Sequence, residues 1–222
     1  MAAPPLVFLH GLGTGPRGWA PQVEAFANSR DVLTPALPLD FGNALGALEV
    51  AIGDRNEVDL CGLSFGALVA LLYAGERPGV VRQIVACAGF LRLPLGLRIK
   101  QAMVARTILL ASRNALRRQL VAEVPEPYRD EALEDLSSLH KGEVIGLLRR
   151  GARLDLTPVV EDMETPVLVL CGERDERNLP LSRALADALP SGEFQTIPDA
   201  GHVANLDNPE AFNAAVAGFL GG

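Results

Sequence analysis

Lysine is almost missing from this chain. Of its 20 basic residues only Lys100 and Lys141 are lysines, and 27 acidic residues bring the net charge to −7. A nucleic-acid binder normally carries a basic excess, so that class of partner is argued against. Cysteine and histidine are scarce too, at three each. Cys61, Cys87 and Cys171 are odd in number, far apart and without C-x-x-C spacing, which suggests neither a disulfide framework nor a thiolate metal site. Each closes an apolar run (Val58–Cys61, Gln83–Cys87, Val167–Cys171), where a small buried hydrophobe in a strand is the expectation. No apolar run comes near the roughly 18 residues of a transmembrane helix. The opening Met1-Ala2-Ala3-Pro4-Pro5 lacks the basic region of a signal peptide, and Leu6–Leu9 is too short for its apolar region. The expectation is a cytoplasmic chain without membrane association.

What is present is a core. The 222 residues are 49% hydrophobic and 21% charged, a balance that excludes global disorder and suits one large domain. Short apolar runs at Leu6–Leu9, Val32–Ala36, Val58–Cys61, Gln83–Cys87, Val167–Cys171 and Phe194–Ile197 alternate with helical stretches near 19–28, 43–53, 65–76, 181–189 and 208–219. That alternation predicts an α/β fold with a mostly parallel sheet of about six strands and helices on both faces.

Residues 91–155 break the alternation, with no convincing strand. Val104, Ile108, Ala111 and Ala115 repeat at spacings of 4, 3 and 4, with Arg106, Arg113 and Arg117 opposite, which predicts one amphipathic helix. The segment holds 12 basic and 8 acidic residues, the remainder 8 and 19. A helical cap over a core made of 1–90 and 156–222, within a single domain, is the predicted layout.

The strongest local signal is Gly62-Leu63-Ser64-Phe65-Gly66, between the run Val58–Cys61 and the apolar helix that follows. G-x-S-x-G at a strand-to-helix junction forces the serine onto a tight turn and aims the next N–H into the same space. An ordinary helix N-cap would use Ser64 but has no need of both glycines. A serine nucleophile needs a general base, and three histidines are available. His10 directly follows the first strand. His140 falls in the cap in register with Leu133 and Leu136, where a packed or solvated role is expected. His202, in Asp199-Ala200-Gly201-His202, follows the last strand at the carboxyl end of the sheet, the end at which ligands bind in open α/β sheets. His202 is therefore the predicted base. The orienting carboxylate is expected in Gly172-Glu173-Arg174-Asp175, with Asp175 leading and Glu173 and Asp199 in the same neighbourhood.

The order Ser…Asp…His resembles that of the α/β-hydrolases. The resemblance spans the chain apart from the cap, through His10-Gly11-Leu12, Gly62-Leu63-Ser64-Phe65-Gly66, Gly172-x-x-Asp175 and Gly201-His202. It implies a Ser64–Asp175–His202 triad and an oxyanion hole from the backbone N–H groups of Leu12 and Phe65. It also implies that His10 is structural. Family members usually begin with a β-hairpin and carry an Asp-x-x-Gly-x-Gly turn after the second strand. Here the first strand starts at Leu6, and the turn reads Pro38-Leu39-Asp40-Phe41-Gly42.

Ser64 stands where haloalkane dehalogenases and epoxide hydrolases of this fold have Asp, which sets those relatives aside. A serine triad with an oxyanion hole serves acyl transfer. A carboxylesterase-type hydrolysis of an ester, lactone or thioester on a small molecule is the expectation, without cofactor or metal. Carbon–carbon bond hydrolysis on the same triad and a triad-retaining sensor or scaffold are the alternatives. A hydroxynitrile lyase would need a cap lysine at the site. The cap's Leu91, Leu93, Leu95, Leu97, Met103 and Leu110 predict an apolar acyl pocket, whereas one of its ten arginines could instead hold an anionic group.

Overall fold

The computed structural model describes residues 3–221. Six strands form one parallel sheet: β1 (Leu6–Leu9), β2 (Val32–Leu33), β3 (Val58–Leu63), β4 (Val81–Cys87), β5 (Val167–Gly172) and β6 (Gly192–Ile197). Their order is β2-β1-β3-β4-β5-β6, so the chain reverses its direction of travel across the sheet after β2. β1, β3 and β5 are buried throughout, as strands covered on both faces must be. Side chains alternate between two cores. Leu6, Phe8, Cys61, Leu63, Val85, Leu168 and Leu170 pack with α1 (Ala20–Phe26) and the last helix (Pro209–Leu220) on one face. Val7, Leu9, Leu60, Ile84, Val167 and Val169 pack with α2 (Phe41–Ile52), α3 (Phe65–Glu76) and α9 (Leu179–Ala188) on the other. The three cysteines are buried and free within β3, β4 and β5.

β2 stops at Leu33 and does not run to Ala36. Pro35 has no N–H to give to the ladder, and two residues on the Leu37 N–H is bound to the His10 ring.

Between β4 and β5 lie four cap helices and a short one: α4 (Leu95–Leu110), α5 (Arg113–Leu120), α6 (Glu126–Asp135), α7 (Lys141–Gly151) and α8 (Thr157–Val160). The ends of the insert meet, through an Arg92–Asp155 antiparallel bridge and a Leu156 N–H donated to Leu91 O over 2.9 Å. The single helix expected through Val104–Arg117 is two helices. Ser112 leaves helical backbone, and its hydroxyl accepts the Ala115 N–H at 3.1 Å, capping α5 and ending α4. The apolar stripe changes accordingly. Ala105, Ile108 and Leu116 are buried and Ala115 is exposed, while Arg117 leaves its expected solvated face to donate to the Leu133 carbonyl. Leu95, Met103 and Leu110 are exposed on the outer surface of α4 at 69%, 61% and 91%, so they cannot line an internal pocket. Arg17, in the 3-10 turn Pro16–Trp19 that precedes α1, binds Glu134 and Asp135 on α6 at 2.7 Å each and ties the cap to the core.

Candidate active site

Ser64 joins β3 to α3 with φ +52° and ψ −110°, a conformation that costs a non-glycine residue about 1–3 kcal/mol and persists only where its surroundings enforce it. The enforcement is visible. Ser64 N–H donates to Cys87 O over 2.7 Å, Leu68 N–H closes the first turn of α3 on Ser64 O at 3.2 Å, and Gly62 and Gly66 let α3 lie against β3 and β1 respectively. A Cβ on Gly66 would stand 2.0 Å from Leu9 O. The next residue, Phe65, opens α3, where N–H groups lack intrahelical acceptors.

Gly11 and Leu12 follow β1 beside this turn, and a Cβ on Gly11 would lie 3.4 Å from Ser64 Cβ. Gly13, at φ +98°, admits the Leu120 carbonyl of α5 where a Cβ would be 2.4 Å away, so the cap closes directly over this loop. His10 anchors the loop from below. Its Nε2 accepts the Leu37 N–H at 2.9 Å, which leaves the ring proton on Nδ1, 3.1 Å from Gly11 O. Burial lowers its pKa, outweighing the opposing pull of the Gly11 carbonyl and Asp135, and keeps the ring neutral. His10 is thus engaged in structure.

Asp175 lies beyond the carboxyl end of β5, and His202 beyond that of β6. Asp175 Oδ2 is 2.7 Å from His202 Nδ1. Burial pushes the Asp175 carboxyl up, but its hydrogen bonds from His202 and Asn178 together hold it below the ordinary carboxylate value. Glu173 instead accepts the Asp199 N–H at 3.2 Å, and Asp199 pairs with Arg174 at 2.8 Å on the surface; neither reaches the imidazole. Asp207 accepts the Gly201 N–H at 2.8 Å and fixes the loop that carries His202.

Ser64, His202 and Leu12 line one cavity of about 370 Å³ beneath the cap. Its wall is mainly apolar, with Leu97, Val104, Ile108, Leu116 and Leu148 contributed by cap helices. Among the described residues no hydrogen bond joins the Ser64 hydroxyl to His202, a contact that often tightens only around substrate. His140 is exposed at the start of α7, where its backbone N–H donates to Glu143 at 3.0 Å. Sequence patterns did not single out Asn178, Arg177 or Ala88 as part of the cavity wall. For Asn178 the available signal was an Asx residue three positions after Asp175 and just before a helix.

Among the described residues no three His, Cys, Asp or Glu side chains are grouped to hold a metal ion, and no helix is long and apolar enough to cross a membrane. Comparison with known proteins agrees with the fold. The family model for the alpha/beta hydrolase family matches residues 6–215. A protein of Serratia proteamaculans named "Putative carbamate hydrolase RutD" is 30% identical over 98% of this chain and 91% of its own. A pimeloyl-[acyl-carrier protein] methyl ester esterase of Aromatoleum aromaticum is 28% identical over 95% of each. Among solved structures, the enol-lactonase of Burkholderia xenovorans superposes with a TM-score of 0.79 at 22% identity, covering 99% of this chain and 92% of the other. With its sheet and its family match in agreement, the chain belongs to the alpha/beta hydrolase family.

Proposed function

We propose that this protein is a serine hydrolase that cleaves carboxylic esters through an acyl-enzyme on Ser64. The observation that carries the proposal is a strained serine sharing a mainly apolar cavity with an imidazole whose far nitrogen is bound to a buried carboxylate. In this mechanism Ser64 Oγ attacks the ester carbonyl carbon while His202 Nε2 takes the hydroxyl proton. Asp175 holds the Nδ1–H tautomer and stabilises the imidazolium. The tetrahedral oxyanion is received by the N–H groups of Leu12 and Phe65. Collapse expels the alcohol, which takes the proton from His202, and water then repeats the sequence to release the acid and restore Ser64. Residues 91–155 act as the cap on a core formed by 1–90 and 156–222.

The cavity supports small or medium, largely neutral acyl groups, since its volume is near the lower end for ligand sites and its wall is mainly apolar. Each methylene buried there is worth about 0.8 kcal/mol, or roughly fourfold in kcat/KM per added carbon until the cavity is filled. The names of the relatives, an ester hydrolase and a carbamate hydrolase, support acyl-type chemistry. Ester hydrolysis with Ser64→Ala as the blank tests the proposal. The expected loss is on the order of 10⁴-fold or more, and a fluorophosphonate probe should label Ser64 alone. Retained turnover in the alanine variant, or labelling of another serine, would refute it.

A further inference from the structure

We infer that Asn178 is a positioning residue that acts on His202 through Asp175, sharing the Asp175 carboxylate with the imidazole and so limiting how strongly that carboxylate holds the protonated ring. Asn178 is 9% exposed and Asp175 7%. The Asn178 Nδ2 lies 2.8 Å from Asp175 Oδ1, 2.7 Å from Oδ2 and 3.1 Å from His202 Nδ1. Its backbone N–H also reaches Asp175 Oδ1, at 3.3 Å. Turning the amide over would press Asn178 Oδ1 against both carboxylate oxygens with no proton between them, so the nitrogen faces the carboxylate.

With the nitrogen there, Asn178 and the His202 Nδ1–H are two donors converging on one acceptor. The 3.1 Å between them is then a contact of donors, not a bond that joins them. Among the described residues His202 is the one ion-pair partner of Asp175, so Asn178 is its other side-chain donor. The backbone on either side is fixed, by Asn178 N–H to Asp175 O at 3.0 Å and Ser182 N–H to Asn178 O at 2.8 Å. These bonds fix the main chain that carries the amide at the start of α9.

The chemical consequence has a definite sign. Hydrogen bonds to a carboxylate spread its charge and weaken its hold on a neighbouring cation. Removing the Asn178 amide concentrates that charge on the oxygen facing His202 and favours the protonated ring. Among the described residues, charged groups that share the loop or the cavity of the imidazole are Asp207, on the loop below, and Lys100, Glu123 and Arg177, in the cavity wall. All are retained in the variants below and act equally on both proteins.

The test is an NMR titration of the imidazole Cε1–H signals of the full chain, which has three histidines, with His202→Gln used for assignment. Asn178→Leu keeps similar volume and removes the donor, and Asn178→Ala serves if leucine prevents folding. The expected result is an upward move of the His202 midpoint by about half to one pH unit. The move should vanish when Asn178→Leu is made in an Asp175→Asn background, because the charge being shared is gone. A midpoint that stays or falls, or a shift that survives Asp175→Asn, would overturn the inference. A purely structural Asn178 would change thermal stability and leave the midpoint in place. The link to catalysis rests on the proposed role of His202 as base, under which the acid limb of kcat/KM for a neutral ester moves with the NMR midpoint. An NMR shift without that kinetic shift supports the role of Asn178 and refutes His202 as the base.

Discussion

Replacing Gly66 by alanine adds one methyl group to the helix that follows Ser64. The added Cβ would stand 2.0 Å from Leu9 O, 2.5 Å from Leu9 C and 2.9 Å from His10 O. All three are backbone atoms of β1 and the residue after it, so no side-chain rotation relieves the overlap. At least 1 Å of backbone separation is needed before the shortest contact reaches the 3.0 Å that Cβ atoms tolerate. Overpacking of this kind costs roughly 1–3 kcal/mol, and fixed backbone on one side places Gly66→Ala near about 3 kcal/mol. For a chain of this size that is a fall in Tm of about 6–12 °C. Activity should suffer more than stability. The displaced atoms belong to the segments carrying Ser64, Phe65 and Leu12, and a misplacement of about 1 Å costs on the order of 100-fold in rate. The control is Gly46→Ala, exposed in the interior of α2 with nothing within 4 Å of the new Cβ. There the same methyl should stabilise by roughly 0.5–1 kcal/mol through helix propensity and leave ester turnover unchanged. Differential scanning calorimetry beside kcat and KM for both variants checks the contrast. A Gly66→Ala protein as stable and as active as the parent would refute the argument that close approach of α3 to β1 holds the serine in place.

Two further outcomes follow from the same geometry. Asp175→Asn should leave the fold intact and slow ester turnover by about 10⁴-fold through the wrong imidazole tautomer, whereas Glu173→Gln and Asp199→Asn should each stay within a few-fold of the parent; the three rates at one pH decide which carboxylate serves His202. His10 has its folded-state pKa lowered chiefly by burial, so the unfolded chain binds its proton first as pH falls below about 6.5. Stability present above that value should therefore decline through the acid side of neutrality. Urea midpoints measured from pH 8 to pH 5 should show a smaller slope in His10→Gln, and an unchanged slope would remove His10 as the cause.

The residues that the structure gathers around the cavity were legible in the sequence to unequal degrees. Gly62 and Gly66 bracket Ser64 at fixed spacing because the turn cannot be made otherwise, so that turn is written in consecutive residues. The positions of Asp175 and His202 followed from counting strands, since each comes just after a short apolar run and all such ends lie on one edge of a parallel sheet. The cap was harder. Its helices carry apolar residues on more than one side, and periodicity alone could not tell that Leu97 turns inward while Leu95 and Met103 remain outside. The break at Ser112 depended on one hydroxyl capping a backbone N–H, which overrode a spacing that otherwise suited a continuous helix. The early end of β2 lies just before Pro35, and the chain beyond it is held by the Leu37 N–H on the His10 ring.

The sequence by itself determined the parallel α/β sheet of six strands, the turn at Ser64 and the identity of the loops that carry Asp175 and His202. Those features depend on local chemistry: short continuous apolar runs bounded by polar turns, and glycine at a close approach. Only the tertiary structure decided that Asp175, and not Glu173 or Asp199, meets the imidazole, that Asn178 shares its carboxylate, and which cap residues wall the cavity. Those choices depend on distances between elements far apart in the chain, where a difference of a few ångströms separates a hydrogen bond from a solvated charge.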